Sequence, residues 1–510
     1  MSHALTLHAA FSIFPLILLL SLSLVAVLVF IYLAKKKPPR CRLPPAPPRL
    51  PVIGNLHQLG ALPHRSLHRL SLSYGPLMLL KLGHIPTLVV SSPDHARDVL
   101  KTHDISFCSR PRLTAGHKLS YGGLDIAFAP FSDHWIRMRK LSSVEFFSAK
   151  RVQLLLPTRE EEVRTLVQNI SRTASANVAV NLSEMFLCLL SNVTSRALFG
   201  KRSAPVGECV RSEFDGMISR SIELMGGFVA GDFFPCMQYL LNVVTGVKWK
   251  LERNFKEIDE FLERDLEEKE ERIGGDEEDG SDMASILVKL HKDESSGLTR
   301  DEIKAMLMVL FIAGADTSSA VLVWTMTELM RNPSVLAKAR DEVRSIAKEK
   351  DYVEESDLHH LVYLNMVLKE ALRLHTPGPL LLPREAREDC QIGGYEIPAG
   401  TRVYINAWAI GRDTNTWDCP EDFRPQRFEK SSIDYKGQHF EFIPFGGGRR
   451  ICPGIAMAVA TIELTLANLL LKFDWSLPDG MSKENIDMSE SFGIVVHKKV
   501  PLVLVAKPVN

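Results

Sequence analysis

Mainly α with a minor β portion is the fold class this sequence predicts, as one body behind an N-terminal membrane helix. Three observations predict it. Helical apolar patterns run through most of the 510 residues, one short pair of strand-like runs stands near the N-terminus, and no internal repeat or second Pro-rich linker divides the chain after about residue 56. Hydrophobic content of 45% permits a large core. Lys+Arg and Asp+Glu both total 61, so a formal net charge of zero offers no general attraction to nucleic acid.

Residues 1–10 hold no Lys or Arg, and Phe11 to Ala34 is a run of 24 residues without a charge. At about 1.5 Å per residue that run reaches about 36 Å, enough to cross a hydrocarbon core of about 30 Å with some tilt. A cleaved signal peptide fits it less well, because the run is too long, no basic residue precedes it and no small-residue cleavage site closes it. Lys35, Lys36, Lys37, Arg40 and Arg42 follow at once, which puts the remainder in the cytosol and residues 1–10 in the lumen. Pro44, Pro45, Pro47, Pro48 and Pro51, ending in Gly54-Asn55, complete a basic and Pro-rich hinge over 35–55, and the globular body is expected over 56–510. No other stretch reads as apolar enough to span. In a cytosolic body the eight scattered cysteines read as free thiols, and the sequons at Asn169, Asn181 and Asn192 as unused.

Within the body, Met78 to Leu82 and Thr87 to Ser91, joined across Gly83-His84, predict a small hairpin. Glu267 to Asp282 is strongly charged, carries three glycines and reads as a solvated loop after a helix end. Thr299-Arg-Asp-Glu302 is a capping box with Leu298 as a staple, and the apolar pattern then runs to Arg331, where Asn332-Pro333 stops it. About 32 residues give about 48 Å, long enough to cross the domain. "AGADTSS", Ala313 to Ser319, interrupts that helix and has two readings. It is a packing notch with a satisfied polar pair, or Gly314 and Thr317 loosen the helical hydrogen bonds and open a groove where Asp316 and Thr317 manage protons.

The stretch "FIPFGGGRRICPG", Phe442 to Gly454, places one cysteine on a Gly-rich turn before an apolar run, Ile455 to Leu471. Zinc would need further Cys or His at short spacing, and the nearest are Cys419 and His439. The glycines fit neither a dinucleotide fingerprint nor a P-loop. Helix-terminus amides and the two arginines would favour a thiolate, which could serve as a single axial ligand to haem iron, with glycines giving the backbone clearance over a flat macrocycle and arginine meeting propionates. A nucleophile would need a base that is not evident locally. A structural cysteine in a tight turn remains the other reading.

Phe445-Gly-Gly-Gly448-Arg-Arg450-Ile-Cys452-Pro-Gly454 matches F-x-x-G-x-R-x-C-x-G, and the chain thereby resembles the cytochrome P-450 family. Ala313-Gly314-Ala-Asp316-Thr317 is similar to its oxygen-binding helix motif, Glu370-Ala-Leu-Arg373 to its E-x-x-R pair, Phe423 to Phe428 to the segment whose second arginine, Arg427, joins that pair, and Trp135-Ile-Arg-Met-Arg139 to W-x-x-x-R. These motifs stand in the family's order along the body. The resemblance implies a single haem-binding catalytic domain with a long central helix and small sheets. It implies haem b with Cys452 as axial iron ligand in a loop that includes Phe445, Gly448 and Gly454. Arg450, Trp135, Arg139 and Arg384 of "LLLPRE" would meet the propionates, Glu370, Arg373 and Arg427 would form a structural network, and Asp316 and Thr317 would deliver protons.

The implied activity is a haem-thiolate monooxygenase fed with NADPH electrons by a membrane-bound reductase, inserting one oxygen atom from O2 into a lipophilic small molecule. The anchor and "KEALRLHTPGPLLLPRE", Lys369 to Glu385, look most like plant endoplasmic-reticulum members of specialised metabolism, whose substrates include terpenoids, alkaloids and phenolics. Substrate contacts are implied from Phe107 to Phe131, Met308 to Thr317, Gly378 to Leu382 and Ser491 to Val496. Two departures stand out: "HTPGP" replaces the more usual His-Pro-Pro, and Ile136 follows the helix tryptophan where arginine is common. Members that rearrange a peroxide or dehydrate an oxime need no O2 or reductase, and a non-catalytic haem protein needs no proton-delivery residues. The intact Asp316-Thr317 pair argues against the rearrangement or dehydration reading.

Overall fold

Arg42 to Asn55, expected as part of a hinge, is fastened to the body. Leu79 donates its N–H to the Pro45 carbonyl at 2.9 Å, and Asn55 Nδ2 donates to the carbonyls of Pro47 and Pro48 at 3.3 and 3.1 Å. Proline lacks an N–H but keeps a strong acceptor, so a Pro-rich strip can be held by donors along an edge. The computed structural model describes residues 42–205, 212–227, 229–274 and 282–509. The expected lumenal segment, the span Phe11 to Ala34 and the basic residues up to Arg40 lie outside the described residues.

The hairpin forms from β1 (Leu77–Leu82) and β2 (Ile85–Val90), antiparallel with Leu82 opposite Ile85, so both strands begin earlier than the sequence suggests. Along the chain follow α1 (Asp133–Glu145), α2 (Leu182–Phe199) and α3 (Val247–Gly274). Then come α4 (Arg300–Arg331), α5 (Val362–Leu374), β3 (Arg384–Glu385) and β4 (Arg402–Ile405). The chain ends with α6 (Ile455–Lys472), the ribbon strands β5 (Glu490–Ser491) and β6 (His497–Lys498), and a last strand, Val503–Pro508. One sheet has the order β1-β2-β4-β3, with β2 and β4 parallel.

The charged segment Glu267 to Asp282 is not simply a loop. Its first part continues α3, where Arg272 pairs with Glu268 one turn back at 2.7 Å, the i, i+4 spacing that supports a helix. Lys269 Nζ is buried and donates to Asp282 Oδ2 at 2.7 Å and to the Phe199 carbonyl at 2.9 Å. A pattern of alternating charge satisfied a helix that sequence reading took for solvated chain.

The capping box predicts α4 well. Glu302 N–H donates to Thr299 Oγ1, and Thr299 N–H donates to Glu302 Oε2. The helix runs unbroken from Arg300 to Arg331, so Gly314 and Thr317 do not loosen it. It is buried on nearly every side, with α2 packed along it, as an all-round apolar helix is when it forms part of a core. The expectation of no second span-like stretch is corrected here: α4 and α6 are both long and apolar enough to cross a membrane, yet most of each is buried inside the body. A core that surrounds a helix selects the same composition as a bilayer does.

Glu370 on α5 accepts from Arg373 Nε and Nη2, both at 2.8 Å, and from Arg427 Nε at 2.8 Å. The Glu370 and Arg373 side chains are 0% exposed. Arg373 also donates to the carbonyls of Gly411, Pro420 and Asp422, tying the helix to the loop that precedes the cysteine turn. Removing one partner of such a buried pair leaves a charge uncompensated, at a cost of about 3–5 kcal/mol. Glu370→Gln is expected to destabilise the body by that amount in urea unfolding followed by tryptophan fluorescence. A loss below about 1 kcal/mol would show that the fold does not depend on the carboxylate.

Candidate functional site

The cysteine turn is closed by Cys452 N–H donating to the Phe445 carbonyl at 3.0 Å, two residues ahead of the α6 N-cap, Gly454. Its thiol opens on a cavity of about 390 Å³ whose walls come from α4, α2, α6 and the loops after α5 and β6's ribbon partner. Gly446, with φ +72°, and Gly454 line the cavity beside Phe445, as the clearance argument expects. Gly448 has another reason. Its φ is +66°, and a Cβ there would meet the Leu100 carbonyl at 2.2 Å and Asp104 at 2.5 Å, away from the cavity.

The expected thiolate is not favoured by this environment alone. Burial pushes the Cys452 thiol upward, and the Gly454 N–H and the Arg139 charge oppose that without outweighing it. Neither arginine of the turn faces the sulfur: Arg449 Nε lies 3.3 Å from Asp104, and Arg450 is drawn to other carbonyls. The nearby cation is Arg139 of α1, whose Nη2 donates to the Ile451 carbonyl at 2.6 Å.

Three buried arginines, Arg110, Arg384 and Arg450, line one edge of the cavity. Arg450 donates to the carbonyls of Cys108 at 2.8 Å and Ala129 at 2.7 Å, Arg110 to those of Ala127, Leu382 and Pro383, and Arg384 to Gly447 at 2.9 Å. These bonds satisfy the N–H groups but not the charges. Burial, then Arg384, pushes Arg450 down to about 9, and burial with Arg450 and Arg384 holds Arg110 well below its ordinary value. Asp104 reaches Arg384 only at 3.4 Å. The buried Asp125 is turned to backbone, accepting from the N–H groups of Ala127, Phe128 and Ala129, and burial lifts its carboxyl to about 6. Sequence reasoning missed Arg110 and Asp125, which sit in irregular loops with no motif around them.

Trp135 and Arg139 stand apart from that edge. Trp135 donates Nε1–H to the Ile126 carbonyl at 3.0 Å and lies under Arg450, whose guanidinium carbon is 4.1 Å from the ring centroid. It is not among the residues lining the cavity and supports Arg450 through that cation–π contact. Arg139 lines the cavity on the sulfur side, as its bond to the Ile451 carbonyl requires.

Across the cavity, Thr317 Oγ1 donates to the Ala313 carbonyl at 2.7 Å while its side chain faces the space. Asp316 faces the other way, with Oδ2 3.1 Å from His497 Nε2 on β6. The structure brings the two residues to one turn of α4 but not to one surface. Gly314 serves as the packing notch: a Cβ there would meet Thr194 of α2 at 3.0 Å, while the residue also borders the cavity. His497 and Thr194 carried no sequence signal.

A thiol at one wall, surplus buried positive charge at one edge and apolar surface elsewhere fit a flat apolar group that carries carboxylates and an iron seeking one sulfur ligand. Haem has that chemistry. The residues that could hold it are Cys452 at the iron and Arg110, Arg384 and Arg450 at the propionates.

The comparisons with known proteins agree. The profile described as Cytochrome P-450 matches residues 44–505. Strychnine-11-hydroxylase of Strychnos nux-vomica is 47% identical over 508 residues, covering 98% of this chain and 99% of that protein. Cytochrome P-450 71A1 of Persea americana is 47% identical over 459 residues (89% and 91%), and cytochrome P-450 71B34 of Arabidopsis thaliana 45% identical over 488 (94% and 96%). The family uses haem b and takes electrons from NADPH through a reductase. With its cysteine turn, its buried ion network and its long helix in that arrangement, the chain belongs to the cytochrome P-450 family and is a haem-dependent monooxygenase of that family.

Proposed function

We propose that this monooxygenase is anchored in the endoplasmic reticulum membrane by Phe11 to Ala34, receives NADPH electrons from a membrane-bound reductase, and oxygenates an uncharged lipophilic metabolite. The overall change is RH + O2 + NADPH + H+ → ROH + H2O + NADP+, or the equivalent epoxidation. The observation that carries the substrate class is the cavity wall. Away from the arginine edge it is formed by side chains such as Met308, Val309, Ile312, Val321, Ile494 and Val495, which offer no carboxylate to a cationic amine and no free cation to an acid. A charged ligand would lose hydration there without repayment. A terpenoid, a phenolic ether or an alkaloid in its uncharged form meets that requirement. One relative, by its name, hydroxylates strychnine.

Haem held with Cys452 as its thiolate ligand would supply the iron that activates O2, and the Cys452 sulfur would donate electron density to it. The chain's own residues then have distinct tasks. Burial alone favours the neutral thiol, so the Gly454 N–H and Arg139 lower the cost of keeping sulfur charged. Arg110, Arg384 and Arg450 would hold the propionates, whose charge would balance the guanidinium charge that carbonyl acceptors leave unpaired. Thr317 Oγ1 holds a proton at the cavity face and Asp316 replenishes it, and the apolar wall keeps stray water from competing for the oxidant.

Cys452→Ser is expected to abolish product formation and the reduced carbon monoxide spectrum of a thiolate-ligated haem; retained oxygenation would sink the assignment. Arg384→Met should speed haem transfer to an apoglobin acceptor about tenfold or more, the loss of a charge-assisted bond. The unfolding midpoint of the haem-free chain should move little, because Arg384 donates one good bond within the protein. Equal loss in both measurements would mark Arg384 as a core residue only. In microsomes carrying the reductase, a panel of neutral terpenes, phenolic ethers and alkaloids should yield product only with NADPH. Product formed equally without NADPH would point instead to a rearrangement or dehydration.

A further inference from the structure

Beside the cavity over Cys452 lies a second chamber of about 120 Å³, far more than the roughly 10–15 Å³ that a single water needs. Phe128, Met225, Leu381, Leu382 and Ile494 border both spaces, so the two share one wall. Leu381 on that wall holds φ +52°, a left-handed conformation that is strained for a residue with a side chain and that recurs where loops meet ligands. Met225 on the same wall is unbranched and adapts its shape readily. Such a wall can yield to a molecule long enough to occupy both spaces.

The second chamber is largely apolar except on its sheet side. There Arg402 of β4 lines it, only 4% exposed, in register between Thr87 of β2 and Glu385 of β3. Arg402 Nη2 donates to the Asp232 carbonyl at 3.1 Å, and the guanidinium carbon stands 5.5 Å from the Phe233 ring centroid. Its Nε and Nη1 are buried and meet no acceptor among the described residues. The neighbouring polar groups are turned elsewhere: Asp232 Oδ1 accepts from the Thr114 N–H at 2.8 Å, and Thr87 Oγ1 donates to the Ile85 carbonyl at 3.3 Å. A buried donor without an acceptor is costly, and a charged one more so.

The surroundings also select the charge of an acceptor that would complete Arg402. Burial pushes the Glu385 and Asp232 carboxyls upward, and the Arg402 guanidinium opposes that push in both, behind the Thr114 bonds in the case of Asp232. One cation therefore already serves two acidic groups, and a further carboxylate would be repelled by both. A carbonyl oxygen offers two lone pairs without a charge, so it takes the donors and escapes the repulsion.

We propose that the second chamber is a subsite for the far end of the substrate, where Arg402 donates to the carbonyl oxygen of a ketone, ester or lactone while the reacting carbon lies over Cys452. The proposal rests on the reading of the substrate as an uncharged lipophilic metabolite and narrows that class to carbonyl-bearing members. Arg402 touches no reacting atom. It is a positioning residue that decides which molecules are held and which carbon they present.

The test uses the full-length, haem-loaded protein in lipid nanodiscs and reads Kd from the ligand-induced shift of the haem Soret band, without reductase or turnover. The probes are monoterpene, sesquiterpene and triterpene frameworks, each as the ketone, the parent hydrocarbon and the carboxylic acid. In at least one framework the wild type should bind the ketone about tenfold more tightly than either companion, as one charge-assisted hydrogen bond supplies. Arg402→Met keeps the length of the side chain but no N–H, and should bring the ketone within about twofold of a hydrocarbon whose own Kd is unchanged. Equal wild-type binding of ketone and hydrocarbon in every framework overturns the subsite and means that water alone serves Arg402. A tighter acid, a ketone preference that survives Arg402→Met, or equal weakening of all probes in that variant, the mark of a purely structural residue, overturns it as well. The wild-type comparison needs no variant, so it decides even where Arg402→Met does not fold. A wild type that binds no member of the panel overturns the lipophilic-metabolite reading and this inference with it, whereas the other failures strike the subsite alone.

Discussion

The Glu370–Arg373 pair, fully buried with a second arginine on the same carboxylate, is the constraint on which the site depends. Its value lies less in pairwise attraction than in what the surplus donors of Arg373 and Arg427 reach. Arg373 collects the carbonyls of Gly411, Pro420 and Asp422, and Arg427 those of Asp418, Cys419 and Asp422. A long irregular segment that could not otherwise satisfy its backbone is thereby fixed. From there the order passes through ring contacts: Arg373 over Trp417, Trp417 to Phe428, Phe428 to Phe442, and Tyr435 to both Phe442 and Phe445. Phe445 accepts the Cys452 N–H. The sulfur is thus placed by a chain of contacts that starts at one buried carboxylate.

Around the sulfur and the arginines, the protein accepts two unfavourable arrangements. The thiol is buried where its ionised form is disfavoured, and three guanidinium groups are buried together, where Arg450 and Arg384 disfavour the charge on Arg110 and Arg384 that on Arg450. Either would be a defect in a protein with nothing to bind there. Together they are complementary to one group that brings a metal cation to the sulfur and carboxylates to the arginines. A group of that kind would relieve both, and its retention would then be coupled to the stability of the same loops.

Much of this was legible in the residues. The capping box at Thr299 and the stop at Asn332-Pro333 set both ends of α4, and Ile455 to Leu471 lacked only one residue of α6. Local chemistry decides such ends, so sequence reports them well. The arrangement of charge was less legible. Arg450 and Arg449 are adjacent in sequence and opposite in fate, one buried over Trp135's ring and one paired at the surface with Asp104. Arg110 reaches the cavity from a loop whose position is decided by contacts with Leu382 and Pro383, more than 270 residues away. Periodicity reports which face of a helix is buried. It says nothing of which loop arginine meets which carbonyl.

The interruption "AGADTSS" shows why its two readings were both partly right. An unbroken helix fills it, so no hydrogen bond needed loosening to make room. The room comes from Gly314 being small on two sides: its missing side chain admits Thr194 of the packed helix, and the same residue borders the cavity. Asp316 and Thr317 then divide by the helical turn of about 100° between neighbours, one facing the ribbon and water, the other the cavity. A regular helix can therefore act as a wall that turns the carboxylate and the hydroxyl to different faces. It is the regularity, rather than a break in it, that keeps the two faces at a fixed angle.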